Sequence, residues 1–432
     1  MNKNITYRIT KNFSSLIAAQ VVYKLIMLIM MIWIARFLGA QGFGQISYGL
    51  SFVWVFIFLS DFGFSELFIR DVVSKKNLFE KYINNIVTLK IFVSLVFYSI
   101  IILLGWRFSF GIEKFWIISI LGLSVILDSF VYFFRSLFRV KETMGYEAIL
   151  MVIEGVLKIG MVFLAIKSKF DLHGAILIAI ALLIVSIVNF LINFVIFIFN
   201  YKKSSFTFSS DLWRYLLANS FPFALGYILA LINFRVDVIM LSVMEGDVAA
   251  GWYNADYKLL EQFFIIPITL SYVFLPVFSK LSKSYDNLQK IFKRAVTTLF
   301  IFGFGGVGLC YLFGDKAIEL IYGREFENAK NYFFILSLVL PIFFIKPIIE
   351  KFLYGLEKQL IVCGLYLAGV ICNIILNLIM IPQLGINGAS IATVISEILT
   401  TGLLFYFGRT LISSVQKKKV IEHKIPVMSD LI

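Results

Sequence analysis

Stretches of about 20 mostly apolar residues recur along almost the whole chain, and nothing else limits its fold so strongly. In hydrocarbon no water can satisfy a peptide group, so such stretches predict membrane-spanning helices. About twelve are found, with limits near 14–38, 44–66, 82–104, 115–137, 146–166, 174–199, 215–243, 252–278, 291–313, 329–354, 360–381 and 387–411. Short loops such as Gly39–Gly44 and Pro382–Gly388 join them. The longest polar stretches fall at 314–330 and from 412 onward, too short for a folded domain outside the membrane. The chain is 60% hydrophobic and 15% charged, where a soluble domain has about 45–50% and about 25%. A water-soluble enzyme and a disordered chain are both excluded. The basic N-terminus leads into an apolar run of about 25 residues, too long for a signal-peptide core, and reads as an uncleaved first span.

Lys and Arg number 39 against 26 Asp and Glu, a net charge of +13. With the N-terminus cytoplasmic and the loops alternating, 25 of the cations fall in cytoplasmic segments, 8 outside and 6 within spans. That bias places both termini in the cytoplasm and makes the number of spans even. It explains the net charge without nucleic acid. Cys310, Cys363 and Cys372 sit in apolar stretches without metal-ligand spacing and read as small buried hydrophobes. His173 and His423 do not form a zinc motif. No metal, cofactor or catalytic residue is expected.

Weak self-similarity divides the chain. Gly44-Gln-Ile-Ser-Tyr-Gly-Leu opens the second span, and Gly251-Trp-Tyr-Asn-Ala-Asp-Tyr opens the eighth. His173-Gly174-Ala175 opens the sixth, and Asn387-Gly388-Ala389 the twelfth. Both pairs sit at the outer mouth of a span. The expected fold is therefore an all-α integral membrane protein of two six-helix bundles related by a parallel repeat, as in many transporters. Its parts are residues 1–200, a cytoplasmic linker 201–213, residues 214–411 and a tail 412–432. All seven prolines lie in the second half, and Pro222, Pro267, Pro276, Pro341 and Pro347 interrupt spans seven, eight and ten. They mark either bending elements of a gate or the ordinary tolerance of proline in membrane helices.

Ionisable groups inside spans are costly and by default mark a site or a water-filled path. The cations are Lys24, Lys90, Lys158, Arg235, Lys258 and Lys346. The acids are Asp61, Glu66, Asp128, Glu154, Asp237, Asp256, Glu261, Glu350 and Glu397. Glu154 with Lys158, Lys346 with Glu350, and Lys258 with Glu261 are spaced to pair along one helix face. Such pairs either neutralise each other or meet substrate. Lys90 is close enough to an inner span end to snorkel. Asp61 and Glu66 lie near the inner end of their span and are expected to be solvated. Lys24 and Arg235 have no acid at helical spacing, so a cation deep in each half is expected to face a shared cavity and an anionic substrate.

Gly303-Phe-Gly305-Gly306-Val-Gly308 has the spacing of a dinucleotide fingerprint but lies in a continuous apolar run. It is expected to let membrane helices approach closely. There is no phosphate-binding loop, catalytic triad or zinc-protease motif.

Ala35-Arg36-Phe37-Leu38-Gly39-Ala40, Gly42-Phe43-Gly44, Ser60-Asp61-Phe62-Gly63-Phe64 and Arg70 together resemble the first hairpin of the polysaccharide transporter family. These are flippases for O-antigen and related lipid-linked oligosaccharides, within the multidrug/oligosaccharidyl-lipid/polysaccharide superfamily. Arg235-Val-Asp237, Gly251-Trp-Tyr253-Asn-Ala-Asp-Tyr-Lys258, Ile266-Pro267 and Leu275-Pro276 resemble that family's seventh and eighth spans. Asn373, Asn377-Leu-Ile-Met-Ile-Pro382 and Gly385-Ile-Asn-Gly388-Ala389 resemble its turn between spans eleven and twelve. The resemblance implies a multi-pass protein of the bacterial inner membrane, not an enzyme. It implies alternating-access transfer of undecaprenyl-pyrophosphate-linked repeat units, for lipopolysaccharide or a similar surface polymer, from the cytoplasmic to the periplasmic leaflet. Membrane lipid is a further partner, and a polysaccharide polymerase or chain-length regulator is a candidate one.

A pyrophosphate and acidic sugars call for cations in a hydrated groove. Lys24, Arg235, Lys258, Lys158, Lys90 and Arg36 are the candidates for it. Asp61, Asp128, Asp237, Asp256 and Glu397 are candidates to bind a coupling proton or sodium ion. A multidrug or cation exporter of the same superfamily is the alternative, and it predicts a net acidic cavity. A membrane-embedded polymerase or glycosyltransferase is a weaker one, because such enzymes need an external loop or soluble domain.

Overall fold

The computed structural model describes residues 3–74, 79–109, 111–141, 143–168, 173–200, 209–268, 270–271, 274, 278, 285–356 and 358–424. Lys75, Lys76, Lys169, Lys202, Lys203, Lys280, Lys283, Pro276 and Pro426, used in the charge and proline arguments, lie outside them, as do most of the linker and the end of the tail. The described chain is all helix. In order the elements are α1 (Lys3–Asp61), α2 (Phe64–Ser74), α3 (Phe79–Phe108), α4 (Ile112–Val140), α5 (Met144–Lys167), α6 (Gly174–Asn200), α7 (Ser210–Met244) and α8 (Asp247–Leu260). Then follow α9 (Tyr285–Tyr322), a 3-10 turn (Arg324–Ala329), α10 (Lys330–Ser337), α11 (Leu340–Gly355), α12 (Gln359–Leu384) and α13 (Ile386–Lys424). Eight described helices are long and apolar enough to cross a membrane, or nine if α10 and α11, bent by 46°, count as one span.

Breaks fall where the sequence changes its chemistry. Helix α1 has 59 residues and is interrupted at Gly39, with φ 65° and ψ −173°. At about 1.5 Å per residue it would be far longer than the roughly 30 Å hydrocarbon core if straight. The kink at Gly39 separates the expected spans 14–38 and 44–66. A second break at Phe62 and Gly63, both with positive φ, ends α1. Asp61 then caps α2 by accepting from the Ser65 amide at 3.2 Å and its hydroxyl at 2.7 Å. Phe64, Leu67, Phe68 and Val72 bury one face of α2 in an aromatic core with Phe133, Phe134 and Phe197. Pro341 stands in the first turn of α11, just after the bend, and Pro347 and Pro382 lie inside helices. Helix α7 runs unbroken through Pro222. The expected loop 314–330 is instead the end of α9 and the 3-10 turn, because Ala317, Ile318, Leu320 and Ile321 keep the helix apolar beyond Gly314 and Asp315.

The chain forms two compact units: Met1–Ala255 with Glu319–Glu327, and Asp256–Ile318 with Asn328–Ile432. In the first, the start of α8 crosses the second arm of α1 at two glycines. A Cβ on Gly44 would lie 1.7 Å from the Asp247 carbonyl oxygen, and one on Gly251 would lie 2.1 Å from that of Ala40. The Asn254 amide donates to the Ser47 hydroxyl at 2.7 Å across 207 positions. Residues 40 and 247, 44 and 251, and 47 and 254 share this separation, so the contact is reciprocal about a local two-fold. In the second unit, α12 and α13 form a hairpin at Gly385, with φ 56°. A Cβ on Gly388 would strike the Met380 carbonyl at 2.1 Å. Gly303 faces the Pro341 backbone, where a Cβ would lie 2.4 Å from Cα, whereas Gly305 and Gly308 face open space.

Gly44→Ala and Gly251→Ala should each destabilise the solubilised protein, by about 1–3 kcal/mol for an overpacked contact. Gly305→Ala should melt with the wild type. Thermal unfolding followed by tryptophan fluorescence separates these outcomes; equal melting of all three variants would refute the crossing.

Candidate functional site

A cavity of about 520 Å³ opens in the first unit among α1, α4, α5, α6 and α7. Its walls are written in helical stripes. Gln20, Tyr23, Met27 and Met30 repeat at i, i+3, i+7 and i+10 on the first arm of α1. Asp128, Tyr132, Arg135 and Arg139 repeat at i, i+4, i+7 and i+11 on α4. Glu147, Met151, Glu154 and Lys158 do the same on α5, and Ser186 and Asn189 follow on α6. Such spacings place each set on one helix face.

Glu154 is the hub. Its Oε2 lies 2.9 Å from Arg135 Nη1. Its Oε1 accepts from Lys158 Nζ at 2.6 Å and from the Tyr23 hydroxyl at 3.0 Å. Arg135 Nη2 also donates to Asn189 Oδ1 at 3.1 Å and to the Leu150 carbonyl at 3.2 Å. Asp128 sits 3.9 Å from Lys158 Nζ, and its Oδ1 is buried without a hydrogen-bond partner. Toward one edge, Arg139 grips Glu147 at 2.6 Å and its guanidinium lies 5.1 Å over the Tyr132 ring. Three cations and three acids line the cavity. The lining charges are therefore equal in number.

Among the anticipated cations, Lys158 lies in this wall. Arg235 lies beside it, its guanidinium 5.1 Å over the ring of Trp54, a lining residue. Lys24 is exposed, one turn from the lining residues Gln20 and Met27, at the border of that face. Arg36 donates to the carbonyls of Leu320 and Ile321, the latter at 2.7 Å, and so caps a helix end. Lys90 neither snorkels nor lines the cavity: it is fully buried, 2.8 Å from Asp61. The expected solvation of Asp61 is corrected likewise, since α3 delivers Lys90 to it in the apolar core. Lys258 pairs with Glu261 at 2.7 Å.

Of the acids, Asp128 faces the cavity and Asp237 is buried, accepting from the Tyr253 hydroxyl at 3.0 Å. In the second unit, Glu397 pairs with Lys346 at 2.8 Å. The expected Lys346–Glu350 pair is thus replaced by a longer-range one, and the Tyr366 hydroxyl donates to Glu350. Asp256 is wholly buried, and neither carboxylate oxygen has a hydrogen-bond partner.

The polysaccharide biosynthesis protein family model matches residues 9–282, most of the chain. The chain belongs to that family. The resemblance read from the hairpin motifs is thereby borne out, and a MatE model matches residues 222–379. Capsular polysaccharide biosynthesis protein CapF of Staphylococcus aureus is 22% identical over 409 residues, covering 92% of this chain and 98% of that protein. A probable low-salt glycan biosynthesis flippase of Haloferax volcanii is 22% identical over 298 residues, 68% of this chain and 61% of that one. Among solved structures, the lipid II flippase MurJ in an inward closed conformation superposes with a TM-score of 0.75 at 19% identity, over 91% of this chain and 87% of that one. An inward-facing MATE multidrug resistance transporter gives 0.74 at 15%, over 91% and 96%. At these identities the structural likeness establishes the fold of the superfamily and no more.

Within the family fold, Arg135, Arg139 and Glu147 are the site residues that the sequence reading missed. The two arginines were counted with the loop cations, and Glu147 was not singled out. The stripe Asp128, Tyr132, Arg135, Arg139 carried the signal: polar and charged residues at helical spacing along one face of α4.

Lys90→Met leaves the Asp61 carboxylate buried and unpaired and should cost about 3–5 kcal/mol, as for other broken buried pairs. The double variant Lys90→Met, Asp61→Leu should recover most of that loss. Denaturation in detergent gives the readout; a double variant no more stable than the single would remove Lys90 from this structural role.

Proposed function

We propose that this protein is a flippase for lipid-linked oligosaccharides, moving repeat units on undecaprenyl pyrophosphate from the cytoplasmic to the outer leaflet of a bacterial inner membrane. The observation that carries this reading is the charged, aromatic-walled cavity cut into otherwise apolar helices of a polysaccharide biosynthesis protein. Arg135, Lys158 and Arg235 supply donors for phosphate. Tyr23, Trp54 and Tyr132 supply apolar faces for sugar rings, while the polyprenyl tail remains in lipid. In this reading the chain crosses the membrane twelve times with both ends cytoplasmic. Bundles 1–200 and 214–411 are its moving halves, joined by 201–213, with 412–432 as a tail. The reciprocal contact at Gly44 and Gly251 supports the repeat, and two repeated halves are what alternating access requires.

A proton or sodium gradient drives the cycle on this reading. Asp128 is the preferred coupling group, because it lines the cavity and its buried Oδ1, without a hydrogen-bond partner, is able to take a proton. A second reading, export of cationic drugs, draws on the MatE model that matches residues 222–379 and on the likeness to a MATE multidrug resistance transporter.

Complementation of a flippase-null strain with a defined repeat unit tests both. Wild-type protein should restore surface polysaccharide. Arg235→Ala, Lys158→Ala and Lys24→Ala should each lower display about 10- to 100-fold at unchanged membrane level, the scale of a lost charge-assisted hydrogen bond. Lys258→Ala should display normally. Full display in all three of these variants sinks the cationic contacts. Absent display together with protection against a cationic dye favours the exporter.

A further inference from the structure

A second, smaller cavity of about 290 Å³ lies where the kink after Gly39 meets the start of α6. Phe37, Gln41, Gln45 and His173 line it, with Gly174 and Ala175 at the first turn of α6. Gln45 is only 6% exposed, and its side-chain carbonyl oxygen has no hydrogen-bond partner. Its amide nitrogen donates to Glu113 at 3.4 Å, and the same carboxylate lies 3.4 Å from His173 Nε2. The first N–H groups of α6 have no partner within the helix. The cavity therefore offers one buried acceptor, several donors and an aromatic edge.

Charge restricts what fits. An anion would be repelled by Glu113, and a cation would be opposed by the positive end of the α6 dipole. A neutral polyol meets neither objection, because each hydroxyl both donates and accepts. The volume lies at the small end of ligand pockets, about 300–1,000 Å³, and suits a single ring. We propose that this cavity is a binding site for one neutral sugar residue, on the side that the cation distribution assigns to the outer face. Its ligand in the cell, a sugar of the translocated glycan, rests on the flippase reading. The site is separate from the charged cavity, and it sits beside the glycine crossing, where a sugar that has just passed would arrive.

Saturation-transfer difference NMR on the full-length protein in nanodiscs tests this. The probes are D-glucose, D-galactose and N-acetyl-D-glucosamine, with D-glucuronate and D-glucosamine as charged controls. At least one neutral sugar should receive saturation and the charged controls markedly less. Gln45→Ala should weaken binding about tenfold, the scale of one lost hydrogen bond. Gln41→Ala, at an exposed position, provides the same test should Gln45→Ala fail to fold. No transfer to any neutral sugar, equal transfer to the charged controls, or unchanged binding in the folded variants would each overturn the proposal. Flipping is measured separately by complementation. Sugar binding without flipping overturns the flippase reading alone, and flipping without sugar binding overturns this site alone.

Discussion

A peptide group in hydrocarbon has no solvent to bond to, and the whole fold answers that constraint. Helices run long and continuous, and each departure is repaired locally. At Phe62 and Gly63 the chain turns through positive φ, yet Phe62 still donates to Phe58 at 2.7 Å and Leu67 to Gly63 at 3.1 Å. Asp61 satisfies the amide of Ser65 and is itself neutralised by Lys90. The turn at 261–264 keeps Glu261 bonded to Tyr257 at 2.9 Å. Gly39 gives up regular geometry without a side chain to strain, and the smaller cavity lies beside it. At these breaks a side chain or a close packing partner compensates for the irregular backbone.

The same constraint governs charge. Glu154 is tolerated because Arg135, Lys158 and Tyr23 all bond to it. Lys158 stands between two acids, 2.6 Å from Glu154 and 3.9 Å from Asp128. On the proposed reading, a phosphate entering the cavity has to compete with Glu154 for these donors. Arg135 and Lys158 release it only if another charge, on substrate or coupling ion, restores the balance. A ligand shifts such a network only by its differential affinity for the arrangements available. On the same reading, proton or cation binding at Asp128 alters that balance directly, and substrate and ion are linked through a single lysine.

Hydrophobic periodicity made the helices legible, because lipid enforces the pattern residue by residue. The family was legible in the motifs around Gly39 and Gly251. Partners in space were not. Lys346 was matched to Glu350 on its own helix, but Glu397 on a distant helix reaches it. Lys90 and Asp61 each seemed close enough to a span end for water, whereas packing of α3 against the break after α1 brings them together in the dry core. Arg135 was hidden by its position near a span end, where cations are ordinary topological signals. Helical spacing reports which side chains share a face, and only tertiary packing reports what that face meets.

Symmetry at the crossing contrasts with asymmetry at the charges. The separation of 207 that relates Gly44 to Gly251 carries Asp128, Arg135, Glu154 and Lys158 onto Ile335, Ile342, Ile361 and Leu365. At the same separation Glu147 falls on Tyr354 and Arg139 on Lys346, so one of the six cavity charges keeps a charged counterpart. Charges cost free energy inside a membrane whether or not they are used. A repeat maintained for packing alone would therefore have little reason to keep them in one copy. On the proposed reading, Arg135 and Lys158 from the first half of the sequence and Arg235 from the second together hold the charged end of the lipid-linked glycan.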